Sequence, residues 1–481
     1  MISVTRRIVR TWVALGPRFL PFADAASPGL PLSRLLRLSL FQASVGMALV
    51  LLVGTLNRVM IVELSVPASL VALMIALPVL YAPFRALIGF RSDRHRSALG
   101  WRRVPFIWMG TLLQFGGLAV MPFALLVLSG GGNAGAWPVW VGWVGASIAF
   151  LLVGAGMHTV QTAGLALATD QAPIEDRPKV VGLMYVMLLV GSIVSSLLFG
   201  ALLADFSPGR LVQVIQGSAV ATLVLNAVAL WKQESRGASR SAASAARLVD
   251  VKFAEAWAAF ITVPNARRRL AAIAVGTLAF GMQDVLLEPY GGQVLAMSVG
   301  ETTWLSATLA AGGLIGFTLA AVVLGRGVDA VRMAMVGAAI GVPGFALVSL
   351  AAPLQSVGVF GIGVLLIGLG GGLFGHGTLT ATMNAAPREQ IGLALGAWGA
   401  AQATAAGVGV AFGGVLRDAA AAAAGSRASP ALGYTVVYVT EALLLLLALH
   451  ILLSLPRSTP LQRGAELPSP SPSGASQPLS S

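Results

Sequence analysis

Cysteine is absent from the 481 residues, which excludes disulfide frameworks, thiolate metal sites and cysteine nucleophiles. Charge is scarce: 10% of residues are Asp, Glu, Lys or Arg, against roughly a quarter in soluble domains. Only four histidines and 18 acidic residues occur, and none is accompanied by a nucleophile, a base or a metal-ligating neighbour at catalytic spacing. No catalytic or metal residues are therefore assigned, and the chain reads as no enzyme. A phosphate loop is missing too, since no strand precedes the glycine clusters and no Lys-Ser/Thr follows them. What is abundant is hydrophobicity, at 57% of residues, together with 57 glycines. Apolar material in that proportion is arranged for lipid rather than for one water-excluding core.

Spanning a bilayer takes about 20 mostly apolar residues. Such runs occur near 38–62, 68–90, 104–128, 139–168, 180–203 and 211–231, and again near 270–297, 301–325, 332–352, 357–383, 390–416 and 431–455. The chain thus divides into an N-terminal segment 1–35, a six-helix half 36–231, a polar linker 232–269, a second six-helix half 270–455 and a Pro/Ser-rich, disordered tail 456–481. Arg6, Arg7 and Arg10 interleave with Ile8, Val9, Trp12 and Val13, which suits a short interfacial helix or a disordered leader. Lys and Arg exceed Asp and Glu by 13. In a soluble protein that excess suggests nucleic acid, but here the basic residues lie between apolar runs without an aromatic-interleaved patch. With both termini cytoplasmic, 26 of the 31 basic residues fall on the cytoplasmic side and three on the other. That asymmetry predicts a multi-pass bacterial inner-membrane protein in this orientation.

The halves repeat. Ala168-Thr169 and Asp205 recur as Ala381-Thr382 and Asp418, each 213 residues later, with Gly200 on Gly413 and Leu203 on Leu416. Gly89 and Asp93 after the second span match Gly325 and Asp329 after the eighth. An all-α membrane protein of twelve transmembrane helices in two six-helix pseudo-repeats is the plan of the major facilitator fold.

Charges inside spans are expensive and therefore informative. Arg58 lies near the outer end of the first span and Arg85 toward the cytoplasmic end of the second. Asp284 and Glu288, four apart in GMQDVLLEPYGG, share one face of the seventh helix. Pro289 and Gly291-Gly292 loosen that helix. Glu441 lies early in the twelfth. The two carboxylates face the bundle interior, either as a gate or docking site or as a buried ion pair that fixes packing. An arginine–carboxylate pair joining the halves is one arrangement. Asp93, in GFRSDRHRSALGWRR, either locks one conformation against neighbouring basic groups or belongs to ordinary loop charge. His158 in GAGMHTVQTAG and His376 in GGGLFGHGTLTA occupy equivalent fourth and tenth spans, 218 apart. A neutral imidazole among glycines is a suitable axial ligand for a metal held in a tetrapyrrole. The alternative is a hydrogen-bonded packing histidine.

Longer runs resemble one family. RFLPFADAA (18–26), LRLSLFQASVGMALVLLVGTLNRVMIVEL (36–64), the stretch 84–119, HTVQTAGLALATDQAP (158–173), GMQDVLLEPYGG (281–292) and GHGTLTATM (375–383) resemble the bacteriochlorophyll delivery (PucC/LhaA) family of the major facilitator superfamily. The resemblance covers nearly the whole membrane region. It implies an assembly factor for light-harvesting complexes in the photosynthetic membrane. Such a factor binds bacteriochlorophyll transiently and meets antenna polypeptides, with pigment-synthesis enzymes as further candidates. Arg58, Asp93, His158, Gln283, Asp284, Glu288, Pro289 and His376 lie in the matching motifs. The alternative function is a proton-coupled secondary transporter of a small solute, driven through Asp284, Glu288 or Glu441.

Overall fold

The computed structural model describes residues 22–27, 29–78, 88, 92, 101–173, 176–234, 265–385, 391–425 and 429–455. Every named element among them is helical. In chain order these are α1 (Leu32–Glu63), α2 (Ala68–Ala76), α3 (Val104–Leu128), α4 (Val139–Gln171), α5 (Arg177–Leu202) and α6 (Pro208–Leu230). Then follow α7 in two pieces (Ala266–Met282 and Leu287–Val294), α8 (Val299–Gly325), α9 (Ala330–Leu354), α10 (Val357–Ala385), α11 (Ile391–Ala424) and α12 (Ala431–Leu453). Ten helices among the described residues are long and apolar enough to cross a membrane, and eleven when the bent α7 is taken as one span. The remaining expected span is the second, described here only over its first turns. Three boundaries differ from the sequence-based ones, and α1 already starts at Leu32, inside the expected N-terminal segment. The α7 helix starts at Ala266, so Arg267, Arg268 and Arg269 form its first turn rather than the end of the linker. The α11 helix runs on to Ala424 because Ala419–Ala424 is an uninterrupted run of the best helix former.

Each half is built on close glycine contacts. A Cβ on Gly110, Gly117 or Gly156 would meet facing α3 or α4 backbone at 2.8 Å or less, and one on Gly337, Gly363 or Gly370 would meet backbone between α9 and α10 at 2.9 Å or less. Small residues at such positions let helices approach without a hydrophobic driving force between them. The outward faces carry Leu112, Phe123, Leu198, Val220, Ile315 and Leu443, all exposed, as lipid contact requires.

On the side that carries the start of α1 and the end of α6, polar side chains tie the helix ends together. Arg34 donates to the Gln233 side chain at 3.1 Å and to its carbonyl at 2.9 Å. The Glu234 carboxylate accepts from the backbone amides of Arg102, Arg103 and Val104 at 2.7, 3.1 and 3.1 Å. It therefore satisfies the orphan donors at the start of α3. Arg103 bridges to Asp170 at the end of α4 (3.1 Å) and donates to Ser92 (2.6 Å). Asp329 caps α9, accepting from the Arg332 amide at 2.9 Å. We call this the basic side.

The two halves touch along α5–α8 and α2–α11 at the opposite, far side. A Cβ on Gly200 would stand 2.0 Å from Trp304 Nε1, and one on Gly300 would stand 2.7 Å from the Gly200 carbonyl. A Cβ on Gly414 would lie 2.4 Å from that of Ala72, and the Ser69 amide donates to Asp418 at 2.7 Å. On the basic side the halves meet again through Phe22. This residue adopts φ +62°, a left-handed value rare for a bulky side chain. Its ring lies 5.9 Å from Phe317 and 6.3 Å from His376, both in the second half, while Gly182 of α5 makes room for it. Asp24 then pairs with Lys179 at 3.2 Å.

Candidate functional site

The α7 helix is broken where its sequence predicts trouble, but not at the predicted residues. Pro289 has no amide hydrogen to give to the carbonyl four residues back, that of Val285. The break falls there: Gln283–Val285 is a 3-10 turn, and the two α pieces meet at 41°. The freed Val285 carbonyl accepts instead from Asn57 Nδ2 of α1 at 2.9 Å. Gly291 and Gly292 do not loosen the helix. They make room for neighbours, since a Cβ on Gly292 would lie 2.9 Å from the Arg58 guanidinium and one on Gly291 would lie 2.9 Å from Thr302.

Facing the break, α1 is itself irregular, with π-helical turns over Val50–Leu56 and Val59–Glu63. Asn57 and Arg58 project from between them. Arg58 is 3% exposed; it pairs with Glu63 and donates to the Met297 carbonyl at 3.0 Å. An arginine–carboxylate link between the halves is thus not what Arg58 makes. Its carboxylate belongs to its own helix, and the link across goes to the buried Met297 carbonyl at the α7–α8 turn.

Between the halves lies a cavity of about 380 Å³ walled by α1, α5, α7, α8 and α10. Asp284 and Glu288 both line it, as their spacing predicts, despite the 3-10 turn. Gln283 lines it too and donates its amide to Asp284 and to the Phe280 carbonyl. Ser306 donates to one Glu288 oxygen, and Gly54 allows that carboxylate to lie against α1, since a Cβ there would be 2.3 Å from Oε1. Glu288 Oε2 and Gln283 Oε1 are buried with no hydrogen-bond partner among the described residues. The rest of the wall is apolar, with Leu49, Val53, Leu189, Leu305 and Ile367 among the lining residues.

Glu441 does not line the cavity. It is fully buried in α12 behind the break, within electrostatic range of Asp284 and beside the Gln283 backbone. Below it, Tyr290, Tyr434 and Tyr438 pack edge-to-face with centroids 5.4 and 5.5 Å from the Tyr290 ring. Gln293 accepts from Tyr434 and from Arg417, each at 2.7 Å. Sequence reasoning missed this cluster, and it also missed Asn57, Ser306 and Phe22. The available signal was tyrosine itself: only five occur in the chain, and three of them gather here.

The histidines stand apart from the cavity and from each other's helices. The glycines near His158 serve packing: a Cβ on Gly154 would collide with Pro78 at 2.1 Å, and one on Gly156 with the Gly110 carbonyl at 2.4 Å. His376 lies between Phe22 and Phe317, whose ring centroid is 4.4 Å away, and its Nδ1 is buried with no partner among the described residues. Gly375 beside it has open space where a Cβ would sit. Arg85 and Asp93, expected as gating residues, lie outside the described residues.

Two six-helix halves that close around an inter-half cavity define a polytopic membrane protein of the major facilitator fold. The fold is shared with a bacterial homologue of the human lysosomal transporter Spinster, solved in an inward-facing, occupied conformation. That match has TM-score 0.65 and 15% identity, and covers 87% of this chain and 95% of the other. The PUCC protein family model matches residues 55–459, and the chain belongs to that family. Protein PucC of Rhodovulum sulfidophilum is 63% identical over 419 residues, covering 87% of this chain and 92% of the relative. Protein PucC of Cereibacter sphaeroides is 59% identical over 453 residues, covering 94% and 98%. The chain is a photosynthesis-related multi-pass membrane protein.

Proposed function

We propose that the chain is an assembly factor for light-harvesting complexes rather than an enzyme. It engages bacteriochlorophyll and antenna polypeptides in the inner photosynthetic membrane, with both termini cytoplasmic. Membership of the PUCC family across residues 55–459 carries this reading. The geometry supports a pigment site outside the central cavity. About 380 Å³ is near the bottom of the roughly 300–1,000 Å³ of small-molecule pockets, too small for a tetrapyrrole with its isoprenoid tail. Free Glu288 and Gln283 oxygens would also face the carbonyl oxygens at the pigment's edge. Of the two histidines, His376 fits better: Gly375 beside it has open space, whereas the glycines near His158 are closed by Pro78 and the Gly110 carbonyl. The His376 imidazole would hold the pigment's magnesium through its unpaired ring nitrogen.

Deleting the gene in its photosynthetic host and restoring it on a plasmid tests the proposal. Antenna absorption should disappear on deletion, with pigment synthesis intact, and return with the wild-type chain. Antenna levels unchanged by deletion would overturn it. A second reading, proton-coupled transport of a small solute, is favoured by the two acidic side chains on the cavity wall. It requires substrate-dependent proton flux in vesicles that Asp284→Asn or Glu288→Gln abolishes.

A further inference from the structure

The polar groups on the cavity wall are unusual in one respect: every hydrogen they could offer is already engaged. The Gln283 amide donates to Asp284 and to the Phe280 carbonyl. Ser306 donates to Glu288, and Ser192 donates to the Leu188 carbonyl at 3.1 Å. Among the described residues, no Lys, Arg or His lines the space. Arg58 lies near Glu288, but its guanidinium is held by Glu63 and the Met297 carbonyl. What remains unpaired in the wall is a set of buried acceptors. Glu288 and Gln283 are 3% and 2% exposed, and each has an oxygen without a partner among the described residues. The half-buried Asp284 carboxylate stands beside them.

Buried acceptors left unpaired cost free energy, and carboxylates cost most. The remainder of the wall, from Leu49 through Leu305 to Ile367, asks for an apolar body. We propose that this cavity binds a small amphiphilic cation, an ammonium or guanidinium head on a hydrocarbon or aromatic body. The head lies between Asp284 and Glu288 and donates to Glu288 Oε2 and Gln283 Oε1. The body lies against α1, α5 and α10. A volume of about 380 Å³ admits one such molecule. The inference does not rest on the pigment reading, because the cavity is separate from His158 and His376.

The test is equilibrium binding to the purified full-length chain in nanodiscs without pigment, using three probes of matched size: phenethylamine, phenethyl alcohol and phenylpropionate. Phenethylamine should bind saturably, the alcohol at least about tenfold more weakly, and the anion not at all, because a charge-assisted hydrogen bond is worth about a factor of ten or more. Glu288→Gln and Asp284→Asn should each weaken amine binding by about tenfold. Asp205→Asn, exposed and paired with Arg210 after α5, should leave it within about twofold. If Glu288→Gln fails to fold, Ser306→Ala carries the test: removing that donor frees a second Glu288 oxygen, so the amine should bind at least as tightly. Equal binding of amine and alcohol would overturn the proposal. So would amine binding indifferent to both carboxylate substitutions, or weakened by Ser306→Ala in a folded protein.

Discussion

The helices that open the two halves, α1 and α7, face one another and depart from α geometry in opposite directions. The α7 helix tightens into a 3-10 turn at Gln283–Val285, whereas α1 widens into π turns on either side of Asn57 and Arg58. The tightened helix leaves a carbonyl unused and the widened one supplies the amide that takes it, at 2.9 Å. Charge divides the same way, with Arg58 on α1 and the cavity carboxylates on α7. Irregular turns inside spans survive where a neighbouring helix satisfies the freed groups, and here α1 does this for α7. The difference also separates two kinds of site. Arg58 is held by Glu63 and the Met297 carbonyl, with Nε alone unpaired among the described residues, and serves structure, whereas Glu288 and Gln283 keep unpaired oxygens on the cavity wall and serve a ligand.

Substitutions can break this pairing in graded steps. Arg58→Leu should have the largest effect, about 3 kcal/mol, by leaving Glu63 and the Met297 carbonyl without their partner. A thermal midpoint in detergent equal to wild type would contradict it. Gly54→Leu comes next at about 2 kcal/mol, because even a Cβ there would press on the Glu288 carboxylate and force α1 from α7. The readout is again the thermal midpoint. Asn57→Leu should cost about 1–2 kcal/mol by orphaning the Val285 carbonyl. Pro289→Ala supplies an amide for that same carbonyl, so the double variant should lose less than the two singles summed; strict additivity in the cycle would separate the proline from the asparagine. Smallest is Glu441→Gln. Replacing one of two neighbouring buried carboxylates with a neutral amide should leave the midpoint unchanged or raise it, and a fall of several degrees would reveal an essential charge.

Much of this was legible in the residues. Apolar runs and basic loops mark the spans, and Pro289 marks the α7 break to within a turn. The Asp284/Glu288 spacing marks a shared cavity wall. The internal repeat proved sound but off by one position at the inter-half contact: Gly200 approaches α8, while its counterpart Gly413 packs on Met282 within its own half and Gly414 meets α2. What the sequence hides are partners distant along the chain. Nothing around Asn57 announces the Val285 carbonyl 228 residues away. The π turns of α1 have no proline to betray them. Glycines near His158 look like room for a macrocycle, yet they are occupied by Pro78 and the Gly110 carbonyl, which only packing can reveal. Phe22 lies in a short motif whose target, the pair Phe317 and His376, is supplied by the opposite half.

The most direct test of the account is the absorption spectrum and polypeptide content of the chain purified gently from its photosynthetic host. The account predicts stoichiometric bacteriochlorophyll with antenna polypeptide, the pigment lost in His376→Leu and retained in Glu288→Gln. A colourless protein without antenna partners would contradict it and move the weight to solute transport through the central cavity.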